Sequence, residues 1–199
     1  MHDEPKGADG SAQGGNQANT GIAPEDPLST IPLSADHDVS GFLCTRSNNV
    51  KEFLTKTATN WVLARCSRVF IFPNPDNPKQ IWGYYSLSAS VIAPAALGPG
   101  HAGKLPRILT PMALLGYMGR HDEAPKGLGA GLVHDAALRV SRAGEHLGIW
   151  GIWLNAETEG LIKWYERLGF ARAIPKNPAD PPSKQMYAPL EALLPEYLI

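Results

Sequence analysis

Apolar residues recur at helical spacing in three stretches of the chain, with short apolar runs between them, a schedule of helices interleaved with strands. Val50, Phe53, Leu54, Thr57 and Trp61 share one face of a first helix, which Asn48 or Asn49 can cap. Leu128, Leu132, Ala136 and Val140 mark a second over 128–143, and Leu161, Trp164, Tyr165 and Leu168 a third that Gly169 stops. Runs at 30–33, 69–72, 81–92, 112–119, 149–154 and 185–188, and another starting at Phe170, read as strands. The turn-forming cluster at 73–78 predicts a β-hairpin, and a short Leu-rich helix follows from Leu190. Strand 112–119, helix 128–143 and strand 149–154 make a β-α-β unit. The order predicts an α/β (α+β) fold, a mixed, mostly antiparallel sheet with a central parallel β-α-β core. Residues 93–111, with four prolines and three glycines, are either a functional loop or an irregular insert.

Composition narrows this picture. A chain of 199 residues, 43% hydrophobic, suits one domain. Residues 1–27 hold almost no large apolar side chains, so burial cannot offset the entropy of ordering them; a disordered tail is expected there, with the domain over 28–199. The chain carries 18 Lys and Arg against 19 Asp and Glu. The first 27 residues account for one Lys and five acids, so the remainder has 17 basic and 14 acidic side chains. That balance is well short of a strongly basic nucleic-acid binder. With no membrane-length apolar run and no basic-then-apolar leader, the expected location is cytoplasmic, with no membrane partner. Cys44 and Cys66 lack any C-x-x-C or His-rich context, which speaks against a disulfide framework and a metal site and predicts two buried thiols.

Chemistry concentrates in two segments. Lys126-Gly127-Leu128-Gly129-Ala130-Gly131 opens the second helix, where first-turn amides lack intrahelical partners and the helix dipole favours an anion. Small residues there either let a pyrophosphate approach the backbone, with Lys126 adding a cation, or serve a tight turn and close helix packing. The spacing is not that of a P-loop, and Asn155 rather than an acid closes the next strand, which sets aside the dinucleotide reading. The second segment, Trp164-Tyr165-Glu166-Arg167-Leu168-Gly169-Phe170, puts a phenol at a helix end near the first. Tyr165 is either a proton donor to a thiolate or the polar-tipped member of an apolar stripe.

Together these segments resemble the GNAT acetyltransferase superfamily, whose cofactor loop reads Q/R-x-x-G-x-G/A and whose later helix ends in Y-x-x-x-G-F. Here they read Ala124-Pro125-Lys126-Gly127-Leu128-Gly129 and Tyr165-Glu166-Arg167-Leu168-Gly169-Phe170. Three further stretches are similar to the acetyltransferase toxins of bacterial toxin–antitoxin modules: Pro32-Leu33 through His37-Asp38 to Phe42-Leu43-Cys44, Gly83-Tyr84-Tyr85 with its flanks, and Met186-Tyr187-Ala188-Pro189-Leu190. The resemblance spans nearly all of 31–194. It implies acetyl transfer from acetyl-CoA to a primary amine, without a metal, and in the toxin branch to the amino group of aminoacyl-tRNA. It makes Tyr165 the general acid. It assigns the pantetheine to the backbone of Met118, Gly119 and Arg120, and the pyrophosphate to the loop from Ala124 through Lys126, Gly127, Leu128 and Gly129 to Ala130. A ribbon-helix-helix antitoxin and a homodimer are implied partners. His121, Asp122 and Glu123 adjoin the site, as a proton relay or as a solvated loop.

The chain departs from the pattern where Ala124 replaces Gln or Arg and where Arg120 takes an apolar position. Two alternatives follow: an acetyltransferase for a small-molecule or protein amine, and a catalytically silent CoA-binding module.

Overall fold

The structure, a computed structural model, describes residues 28–177 and 179–194; the tail expected over 1–27 lies outside them. One seven-stranded sheet runs through the molecule in the order β1-β2-β3-β4-β5-β7-β6. Its strands are β1 (Ile31–Pro32), β2 (Arg68–Asn74), β3 (Asn77–Ile92), β4 (Thr110–Arg120), β5 (Gly151–Asn155), β6 (Ala171–Arg172) and β7 (Gln185–Pro189). Every neighbouring pair is antiparallel except β4 and β5, which the helix α4 (Leu128–Gly144) connects in parallel. The β2–β3 hairpin turns where expected, and Asn74 Oδ1 accepts the Asp76 amide at 2.9 Å to tighten it.

Both faces of the sheet are covered, so β3 buries consecutive residues. Tyr85 packs under α4 with Leu132, Ala136, Ile152 and Met186. Tyr84 faces the other way, among Phe42, Phe53, Leu54 and Ile71. The first helix differs from its sequence expectation in two respects. Ser47, not Asn48 or Asn49, caps it by accepting the Val50 amide at 3.2 Å. It also runs as α1 (Asn48–Glu52), a π-helical turn (Phe53–Thr57) and α2 (Ala58–Leu63), and the extra residue in that turn rotates the later face outward, leaving Trp61 41% exposed.

Residues 93–109 form an ordered insert: a 3₁₀ turn (Pro94–Ala96) and a single-turn helix, α3 (Pro99–Ala102), with Leu97 buried against Ile92, Met112 and Tyr187. The Tyr187 hydroxyl accepts the Gly98 amide at 2.7 Å, fixing the insert to the sheet. α5 (Glu159–Glu166) is capped by Thr158, and Gly169 follows it in the left-handed region at φ 95°, the helix stop read from the sequence. α6 (Leu190–Leu193) closes the described chain. The expectation of two buried thiols is half wrong: Cys44 is buried, whereas Cys66 lies on the surface just after α2. No described helix is long and apolar enough to cross a membrane, and no cluster of described residues could hold a metal ion.

Candidate active site

The site grows from an interruption in the sheet. β3 pairs with β4 as far as Arg120, but β5 pairs with it only over Met112, Ala113 and Leu114. The cause is a bulge: Tyr85 sits opposite Met118 and Leu87 opposite Leu115, so Gly116 and Tyr117 together face Ser86. Ser86 Oγ accepts the Tyr117 amide at 2.9 Å, satisfying the donor that the bulge displaces. A bulge bends its strand, and beyond Leu114 the edge of β4 is open.

A cleft of about 620 Å³ occupies that opening. Met118, Gly119 and Arg120 line it from β4, and Lys126, Gly127, Gly129 and Ala130 from the loop and first turn of α4. Leu161 and Trp164 of α5 form an apolar wall, and Cys44, Arg46 and Ser47 close the other side. Gly127 adopts φ 95°, a conformation that only glycine takes readily, and no side chain caps the helix. The Ala130 amide bonds the Gly127 carbonyl at 3.0 Å, while among the described residues the Leu128 and Gly129 amides have no partner. Of the loop residues read from the sequence, Ala124 and Leu128 do not line the cleft; both side chains are buried in the core behind it.

Arg120 donates from Nη1 to the carbonyl of Ala124 and, at 3.4 Å, to that of Pro125, so it braces the loop and pairs with neither Asp122 nor Glu123. Asp122 accepts the Thr45 amide at 3.0 Å; that bond, with Arg46 nearby, holds its carboxyl below the usual range and ties the 44–47 segment over the cleft. His121 is buried rather than part of a solvated loop. Its Nδ1 accepts the Glu123 amide at 3.2 Å, and Nε2 donates to the Gly41 carbonyl at 3.3 Å. A histidine with both ring nitrogens so engaged is a structural bracket.

Tyr165 is 6% exposed, one position behind the wall that Trp164 presents. Its ring meets Trp164 edge-on at 4.7 Å between centroids and Phe170 at 5.4 Å. Burial, reinforced by the Glu157 carboxylate, pushes its phenol well above the ordinary tyrosine range. Among the described residues its hydroxyl has no hydrogen-bond partner, so its proton is held but not committed.

On the far side of β4 lies a second cavity of about 560 Å³, walled by Phe53, Trp61 and Tyr117 with Ser86 and Ser88. Phe53 and Tyr117 stack at 3.9 Å. Glu157 lines both cavities, a residue that sequence reasoning passed over. The only signal was its place, two residues past the end of β5 and just before the Thr158 cap.

An open-edged β4, a parallel β5 and an uncapped glycine turn at α4 are the GNAT arrangement, and the chain has the GNAT acetyltransferase fold. Its structural likeness is to the acetyltransferase toxins of toxin–antitoxin modules. It is similar to AtaT complexed with acetyl-methionyl-tRNAfMet, at 25% identity and a TM-score of 0.75 over 85% of this chain and 99% of that one. It is similar to AtaTR bound with AcCoA, at 25% identity and a TM-score of 0.70 over 85% and 98%. A Tyr-to-Phe mutant of KacT shares the fold, at 22% identity and a TM-score of 0.75 over 86% and 100%. No protein-family model matches the chain.

Proposed function

We propose that residues 28–199 form a cytoplasmic, acetyl-CoA-dependent N-acetyltransferase of the toxin type, acetylating the amino group of aminoacyl-tRNA. The observation that carries this reading is the single cleft that joins the open edge of β4 to the free amides at the start of α4. Those two features suit the two ends of acetyl-CoA. The Leu128 and Gly129 amides and Lys126 suit a pyrophosphate, with Gly127 leaving no side chain in the way. The edge at Met118 and Gly119 offers backbone hydrogen bonds to the pantetheine, and Leu161 and Trp164 exclude water beside the thioester. The likeness to AtaT, seen with acetyl-methionyl-tRNAfMet, supports aminoacyl-tRNA as the acceptor.

The chemistry is an amine displacing a thiolate. A C–N bond forms, the C–S bond breaks, the nitrogen loses one proton and the sulfur gains one. Tyr165 stays protonated throughout the physiological range because ionising it in its buried site is costly. It gives that proton to the thiolate and recovers one afterwards. An antitoxin that masks the cleft and a second copy of the chain are the expected partners.

The test is Tyr165→Phe. Acetyl transfer to methionyl-tRNA should fall by about 10²–10⁴, acetyl-CoA binding should persist in calorimetry, and growth arrest on expression should be relieved. Equal arrest by both proteins would overturn the reading. The mild charge of the folded part favours one alternative, a small-molecule or protein amine acceptor; transfer to polyamines or peptides but not to charged tRNA would select it.

A further inference from the structure

Charge is segregated across β4. The cofactor cleft carries Arg46, Arg120 and Lys126. Among the described residues, the cavity on the far side has no Lys, Arg or His in its lining and two carboxylates, Glu52 and Glu157. Glu52 is bound to Lys56 at 2.6 Å, which leaves Glu157 as the acid open to a ligand. Glu157 is exposed and is the one residue shared by the two linings. Its Oε1 accepts from Ser47 Oγ at 3.1 Å and Asn49 Nδ2 at 3.4 Å, both neutral donors, and no described Lys or Arg forms an ion pair with it. Lys184 reaches only its backbone carbonyl, at 3.2 Å. A positioned, unpaired carboxylate beside stacked aromatic rings is a receptor for a cation.

We propose that Glu157 receives the ammonium group of the acceptor and takes the proton whose loss frees that nitrogen to attack; this rests on the acetyltransferase reading above. The Glu157 carboxylate takes one of the ammonium's protons, which frees the nitrogen lone pair to bond to the thioester carbon, and the nitrogen, now positively charged, becomes strongly acidic. The C–S bond breaks and the thiolate takes the Tyr165 proton. The acidic nitrogen gives its second proton to the Tyr165 phenolate, which burial makes a strong base, and Glu157 releases its proton to water as the amide leaves. Both groups are thereby reset and no co-reactant is consumed. The acceptor is then an amine that arrives as a cation, with Phe53, Trp61 and Tyr117 as the surface for its side chain.

Glu157→Gln in the full chain tests this, because glutamine keeps an oxygen for Ser47 and Asn49 and removes only the charge. Acetyl-CoA affinity should stay within about twofold by calorimetry, while kcat/KM for methionyl-tRNA at pH 7 falls on the order of a hundredfold. From pH 6 to 8 the variant should climb with a slope near one, since it can use only amine already neutral at an ordinary pKa of about 8, where wild type is flatter. Arg46, Arg120, Lys126 and Cys44 face Glu157 across the cleft. Glu52 and Tyr117 face it from the far cavity, with Tyr84, Tyr165 and Lys184 near its base. These groups are common to both proteins, so the difference between the profiles isolates Glu157. Glu157→Asp should restore part of the loss. Unchanged kcat/KM, or an equal loss at every pH with weakened acetyl-CoA binding, would overturn the inference alone. A wild-type chain that acetylates no amine would overturn it together with the acetyltransferase reading.

Discussion

The Arg120 guanidinium, at the end of β4, donates to the carbonyl of Ala124, so the strand and the turn that opens α4 are joined by a charged hydrogen bond. The cofactor-loop pattern has Gln or Arg at the position of Ala124, and here a guanidinium from four residues earlier bonds that residue's backbone carbonyl instead. Arg120→Ala should release the loop. Charged hydrogen bonds contribute about 1.5–3 kcal/mol, so acetyl-CoA affinity should weaken by roughly tenfold or more, measured by calorimetry. Affinity equal to wild type would mean that the loop holds its shape without the brace.

Two glycines beside that brace should behave oppositely. At Gly127 an added Cβ meets nothing within 4 Å, yet φ 95° is costly for any other residue by about 1–2 kcal/mol. Gly127→Ala should therefore lower the melting temperature by a few degrees and, where the turn relaxes to relieve the strain, lower acetyl-CoA affinity several-fold. Gly129 is helical, and its Cβ would lie 3.4 Å from Trp164, an ordinary contact, so Gly129→Ala should fold at least as stably. Thermal melts beside calorimetry separate backbone strain from steric blocking of the cleft.

The strands, the helices at 128–144 and 159–166 and the hairpin were legible because apolar period and turn chemistry are local properties. The glycine turn and the tyrosine helix were legible for the same reason. Three features were not. The π-helical turn at Phe53 answers to packing of Phe53 and Leu54 against Tyr84 across the sheet, which no local pattern encodes. His121 reads as a loop polar residue, and only the fold brings Gly41 to its ring. Glu157 is unremarkable in sequence; its position between two cavities depends on how far β5 diverges from β4.

Tyr84, Tyr85 and Tyr165 all have phenols pushed above the ordinary tyrosine range, in each case mainly by burial. Their neutral forms are favoured in the folded state, so the stability they contribute is fully present below pH about 10. It declines as pH rises above that value toward the folded pKa values, because unfolding then releases protons. With three such groups the slope approaches ~4 kcal/mol per pH unit. Urea unfolding at a series of pH values from 8 to 11 should show a plateau and then this decline, and Tyr84→Phe should make the decline shallower by about a third. A flat profile to pH 11 would contradict the assignment.

Asp135 gathers the start of the described chain onto α4. Its Oδ2 accepts from Thr30 Oγ1 at 2.5 Å, from the Tyr85 hydroxyl, and from Arg139 Nε at 3.2 Å, and Arg139 Nη2 also donates to the Thr30 carbonyl at 2.7 Å. Arg139 lies over the Phe70 ring at 4.1 Å, which fixes its guanidinium in place. Asp135→Ala would take that acceptor from the two buried hydroxyls of Thr30 and Tyr85 and from the Arg139 Nε, a loss of about 3–5 kcal/mol. Tyr85→Phe removes a single donor and should cost about 1 kcal/mol. Because the Tyr85 bond is already absent in the double variant, its loss should be smaller than the sum of the two single losses. Urea unfolding of the four proteins measures that coupling, and strict additivity would mean that Tyr85 and Asp135 do not act as a pair.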